Sequence, residues 1–111
     1  MVPPPVNEKL KPHYNLCELQ KLLQKNKTRH FTRNSILGAH ELDLSVTQMK
    51  GIVLSLRRIN FIKSMTSDHD RTLWQDVYNI SKDRIPIYIK LQKNHIGEAV
   101  VISFKKNEGN S

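Results

Sequence analysis

Lys63, Gln75, Tyr88 and Lys105 stand on four short strand-like runs in the C-terminal half of the chain. Together they could do chemistry on a phosphate. Lysine supplies a compact cation suited to phosphate oxygens. Tyrosine can donate or relay a proton, the more so where nearby lysines lower its pKa. Glutamine can orient a ribose or phosphate as a neutral donor and acceptor. Such a set could cut RNA without a metal, the RNA's own 2′-hydroxyl attacking the adjacent phosphate. Negative charge then gathers on the phosphoryl oxygens, where one fixed donor is typically worth about 3 kcal/mol. None of the four is an ideal base for the 2′-proton. His69, in the loop Ser67-Asp68-His69-Asp70, is held as the reserve general base. Arg57, Arg58, Lys90 and Lys106 are candidate RNA-binding cations. The same residue types also serve plainer ends: a strand lysine guards an edge, and a sheet tyrosine packs with its hydroxyl in water.

Charge points the same way. The 111 residues carry 18 Lys and Arg against 10 Asp and Glu, a formal net charge of +8 and a pI near 9.8. That surplus favours a polyanionic partner. No apolar run approaches the roughly 18 residues of a membrane span, and Met1-Val2-Pro3-Pro4-Pro5-Val6 lacks the apolar stretch of an export signal. No membrane association and a cytoplasmic location are therefore expected. Cys17 is the single cysteine, and it is expected on a helix as a small apolar residue. His13, His30, His40, His69 and His95 show no paired ligand spacing, so neither a metal nor a cofactor is expected.

The elements that must position these residues read from periodicity. Residues 1–13, with three successive prolines, read as a flexible N-terminal arm, residues 14–106 as a single domain and residues 107–111 as a C-terminal tail. Leu16, Leu19, Leu22 and Leu23 recur at helical spacing behind an Asn15/Glu18 capping pair. A short helix is predicted around residues 34–39, with Gly38 a weak point. A third helix begins at Ser45, where Gln48 completes a capping box and Met49, Ile52, Val53 and Leu56 form the apolar stripe. Beyond Arg57-Arg58 the period falls to two. Ile85, Ile87, Ile89 and Leu91 share one strand face, leaving Tyr88 and Lys90 on the other. In the last strand Val100, Ile102 and Phe104 are expected to face the core, with Ser103 and Lys105 opposite. For Lys63 and Gln75 the parity is less clean, because Phe61, Met65, Leu73 and Val77 share their side. Helices first and hairpin-linked strands after predict an α+β domain, its helices packed on one face of an antiparallel sheet and the other face open.

The words Phe61-Ile62-Lys63-Ser64-Met65-Thr66, Trp74-Gln75-Asp76-Val77-Tyr78, Tyr88-Ile89-Lys90 and Ile102-Ser103-Phe104-Lys105 resemble, in order and spacing, the MqsR family of toxins. The resemblance implies a RelE-like fold and a metal-independent, sequence-specific mRNA interferase, the toxin half of a type II toxin–antitoxin pair. It implies Lys63, Gln75, Tyr88 and Lys105 as the catalytic set. It also implies mRNA as substrate, and a cognate antitoxin that combines a zinc-binding region with a helix-turn-helix region. On the residues alone two other readings stay open. One is a basic protein that binds RNA or the ribosome and blocks translation without cutting. The other is a DNA-binding regulator, against which no basic recognition helix stands out.

Overall fold

The computed structural model describes residues 7–108. In chain order it contains β1 (Glu8–Lys9), α1 (Leu16–Leu23), β2 (Arg29–Phe31), α2 (Arg33–Glu41), α3 (Val46–Leu54), β3 (Phe61–Thr66), β4 (Trp74–Lys82), β5 (Ile85–Lys93) and β6 (Ala99–Lys106). The strands form one sheet in the order β1-β3-β4-β5-β6-β2. Every neighbouring pair is antiparallel except β2 and β6, which run parallel. The α+β class expected from the sequence is the one observed. Among the described residues no helix is long and apolar enough to cross a membrane.

Local chemistry starts each helix where the sequence places it. Asn15 accepts the Glu18 N–H at 3.1 Å and opens α1. Ser45 and Gln48 make both bonds of a capping box at the start of α3. Met49, Ile52, Val53 and Leu56 are buried, as their spacing predicts. Cys17 lies on α1 but is exposed rather than packed. α2 is longer than the short helix expected, and Gly38 does not interrupt it. A Cβ at Gly38 would collide with the carbonyl oxygen of Phe104, so the missing side chain lets α2 close onto the β6 backbone.

One core joins the layers. Leu19, Leu23, Ala39, Met49 and Val53 from the helices meet Tyr78, Ile87, Ile89, Leu91, Val101 and Phe104 from the sheet. The described part of the predicted arm is anchored to this body. Asn7 and Thr66 exchange bonds of 2.9 and 3.1 Å, and Glu8 and Lys9 pair with Met65 and Ser64 of β3. The fully buried carboxylate of Asp76 accepts the N–H groups of His13 and Tyr14 at 3.0 and 2.9 Å. From Asn7 onward the predicted arm is thus an edge strand and an anchored turn; residues 1–6 lie outside the described residues, as do residues 109–111 of the predicted tail.

The turns fix the register that the site depends on. Asp83 and Arg84, both at positive φ (52° and 69°), make a two-residue turn between β4 and β5. That turn sets Tyr88 opposite Asn79 and Lys90 opposite Val77. Asn94 accepts the N–H groups of Ile96 and Glu98 in the next turn, where Gly97 takes φ 86°.

Candidate phosphate-handling face

Two bulges decide which side chains reach the open face. On β3 the register passes from Phe61 opposite Tyr78 to Lys63 opposite Val77, which leaves Ile62 as an extra residue. Phe61 thus turns to the core and Lys63 to the opposite face, which resolves the mixed parity of that strand. On β6 the register passes from Val101 opposite Leu91 to Ser103 opposite Lys90, and Ile102 is the extra residue. Here the sequence reading needs correction. Ala99 and Val101, rather than Val100 and Ile102, join Phe104 in the core. Lys105 reaches the open face only because of the bulge, since unbroken alternation from Val101 would carry it to the core side.

The open face is then a set of rows across the strands. Lys63, Val77, Lys90 and Ser103 form a central row. Asn79, Tyr88 and Lys105 form the row on one side. Met65 pairs with Gln75 on the other side, and the Gln75 amide donates to Gln92 at 2.9 Å. All four residues singled out from the sequence therefore share one face, and Lys90 joins them at its centre. Same-face rows along a strand are roughly 7 Å apart, within reach of long side chains.

The electrostatics follow from this crowding. Lys105 Nζ lies 5.2 Å from the centre of the Tyr88 ring and Lys90 Nζ 5.9 Å from it. Burial lowers the Lys90 pKa, the charges of Lys105 and Lys63 lower it further, and only Asp68 opposes them. Tyr88 departs from expectation: burial raises its pKa, and the opposing charge of Lys63 does not reverse that. Its phenol is therefore held protonated, and burial makes it a weaker acid than a free tyrosine. Lys63 is ion-paired to Glu8 of β1 at 2.9 Å, with the lysine side chain 35% and the glutamate side chain 51% exposed.

The other candidates separate. Gln75 is only 7% exposed and forms, with Gln92, an amide floor beside the lysines. Lys106 lines a cleft of about 480 Å³ with Tyr88, Lys105, Asn107, Glu41 and Glu108. Arg57 and Arg58 lie away from the lysines: Arg58 covers the Phe61 ring at 5.0 Å, and both border a groove with Leu56 and the core residue Tyr78. His69 is exposed, and its backbone N–H donates to Ser67 Oγ. The neighbouring Asp70 instead holds His95 at 3.0 Å, tying the loop before β4 to the β5–β6 turn. Asp76 and Trp74 of the Trp-Gln-Asp-Val-Tyr word are structural: Asp76 anchors the chain before α1, and the Trp74 ring is covered by His13 and Lys9.

Sequence reasoning missed Glu8, Gln92 and Asn79. Continuing the alternation from Tyr88 and Lys90 one step further would have found Gln92. Nothing local could have found Glu8, which meets Lys63 across 55 positions of sequence. Among the described residues no group of three or more His, Cys, Asp or Glu is placed to hold a metal ion.

Two comparisons bear on what this face does. A family model described as "Motility quorum-sensing regulator, toxin of MqsA" matches residues 11–106. The mRNA interferase toxin MqsR of Escherichia coli (strain K12) is 35% identical over 99 residues, which span 89% of this chain and 98% of that protein.

Proposed function

We infer the reaction from one premise: the chain belongs to the MqsR toxin family. It is the toxin of a toxin–antitoxin pair, an endoribonuclease whose substrate is mRNA, and it has a cognate antitoxin. How its residues carry out the cut is our proposal. The observation that supports it is the convergence of Lys63, Lys90, Tyr88 and Lys105 on one open face of the sheet.

The scissile phosphate lies over the central row, its oxygens held by Lys63 and Lys90, with Lys105 at the flank. Holding a phosphate there offsets the burial and the neighbouring like charges that together depress the Lys90 pKa. The ribose 2′-oxygen attacks phosphorus as the bond from phosphorus to the 5′-oxygen breaks, giving a 2′,3′-cyclic phosphate and a free 5′-hydroxyl. Tyr88, its phenol protonated, gives its proton to the departing 5′-oxygen, which as an alkoxide is far more basic than the phenolate left behind. Gln75 acts through Gln92, setting the floor against which the ribose rests. Lys106, at the cleft beside Tyr88, meets the RNA backbone beyond the cut. Every step uses the RNA's own hydroxyl and fixed protein groups, so no metal is required. Location in the cytoplasm, where mRNA is translated, and an antitoxin with zinc-binding and helix-turn-helix regions complete the proposal.

The test is incubation of the purified protein with a defined mRNA in EDTA, with 5′-ends mapped by primer extension. Discrete cuts bearing 5′-hydroxyl ends, absent from Lys63→Ala and Tyr88→Phe, are expected. Cuts that need added divalent metal, or that persist at full rate in both variants, would overturn the mechanism.

A further inference from the structure

The mechanism above leaves the 2′-proton without an acceptor, and the structure holds a carboxylate where one is needed. Glu8 Oε2 sits 2.9 Å from Lys63 Nζ, and the glutamate side chain is half exposed on the open face. It comes from β1, the edge strand, where it pairs with Met65. Met65 and Gln75 belong to the row on one side of the Lys63–Lys90 row, while Tyr88 and Lys105 form the row on the other. A phosphate over the central row therefore has Glu8 at one flank and Tyr88 at the opposite flank. In-line displacement at phosphorus needs that disposition, with the group that activates the nucleophile and the group that protonates the leaving oxygen on opposite sides. The 2′-hydroxyl belongs to the same nucleotide as the phosphate it attacks, with reacting atoms about 3 Å apart in an attack-ready geometry. Its base must accordingly lie beside the cation that grips the phosphate. Glu8 touches that cation.

We propose that Glu8 is the general base of the cleavage reaction, a proposal that rests on placing the scissile phosphate at Lys63. Its carboxylate accepts the 2′-hydroxyl proton as the 2′-oxygen bonds to phosphorus. The phosphorus–5′-oxygen bond breaks, and the 5′-oxygen takes a proton from Tyr88. Before RNA arrives, Lys63 holds the carboxylate in place. On binding, the phosphate shares Lys63 and frees a carboxylate oxygen for the 2′-hydroxyl. Asp68, whose charge also reaches Lys90, is exposed in the loop before β4. Glu8, by contrast, is in direct contact with a residue of the site.

The experiment is single-turnover cleavage of a defined mRNA in EDTA by the full chain and its Glu8→Gln, Glu8→Asp and Lys63→Ala variants, across about pH 3 to 9. Wild-type cleavage that disappears in Lys63→Ala establishes the site itself, so failure of that arm counts against the site and not against Glu8 alone. With the site established, Glu8→Gln should cut about 100-fold or more slowly, the lower end of what a general base contributes. It should bind RNA at least as tightly as the wild type, because a negative charge has been removed. The fall in rate on the acid side of the wild-type profile should be absent in Glu8→Gln and retained in Glu8→Asp, which cuts at an intermediate rate. Melting temperatures and Trp74 fluorescence check that β1 stays seated. A Glu8→Gln rate within about threefold of wild type, or a faster one, would overturn the assignment, the latter making Glu8 a clamp on Lys63. A slow Glu8→Gln that keeps the acid-side fall would overturn it too, as a purely positional effect.

Discussion

The two faces of β5 show how one strand serves two ends. Ile87, Ile89 and Leu91 are buried to 1% or less beneath the helices. Between them Tyr88 and Lys90 stay partly exposed and look outward with Gln92. The inward set owes its environment to apolar packing, which carries no charge and tolerates no water. The outward set crowds like charges and a protonated phenol, which costs stability and is useful only when an anion arrives. The contrast teaches that stability and chemistry can be changed nearly independently here, because alternate residues of one strand belong to different environments.

The sharpest way to break that separation is to cut into the core beneath the site. Phe104→Ala removes a 1% exposed ring from the inner face of β6 and is expected to cost about 3–5 kcal/mol of stability. Chemical denaturation measures it, and cleavage per folded molecule should fall far less. The reverse change is Tyr88→Phe. It should slow single-turnover cleavage about 100-fold or more while leaving the denaturation midpoint almost unmoved. A large stability loss in that variant would erase the contrast.

Gly38→Ala probes the place where the two sides meet. The added methyl would drive α2 away from the Phe104 carbonyl, next to Lys105. We expect a loss of about 1–3 kcal/mol together with reduced cleavage, read from denaturation and kinetics on the same sample. Lys90→Met tests the cost of the cationic row. Because its folded pKa is lowered, the charged form is disfavoured by folding, so removing the charge should leave stability unchanged or raised near neutral pH. RNA affinity should weaken, and the slope of log affinity against log salt should shrink by about 0.7.

The smallest effect belongs to the Asp70–His95 link between loops. Bonds from Thr72, then His95, hold the Asp70 carboxyl down at about 2. A depressed folded pKa contributes stability above the ordinary carboxylate value and loses it as pH falls toward 2. Asp70→Asn should therefore melt slightly below wild type at neutral pH, with the gap closing as pH drops below about 4. A gap that widens on acidification would show that the link does not act through this carboxylate.

Much of this was legible before any coordinates. Helix starts at Asn15 and Ser45, the stripe of α3 and the alternation of β5 depend on neighbours within a turn or two, and local chemistry decides them. The face shared by Tyr88 and Lys105 was read correctly, although from a β6 parity that the structure corrects. Asp76 and Trp74 were read only as parts of a word, because their partners, His13, Tyr14 and Lys9, lie more than 60 positions away.

By itself the sequence determined the α+β class, the basic character, the helix caps and the four side chains able to act on a phosphate. These follow from residue type, local spacing and total charge. Only the tertiary structure decided that Lys63 and Gln75 join Tyr88 and Lys105 on one face, that Lys90 stands at their centre and that Glu8 reaches Lys63. A bulge is defined by the partner strand, not by the strand that carries it. The extra residues at Ile62 and Ile102 therefore exist only once β4 and β5 have paired with their neighbours, and those two residues turn Lys63 and Lys105 onto the same side.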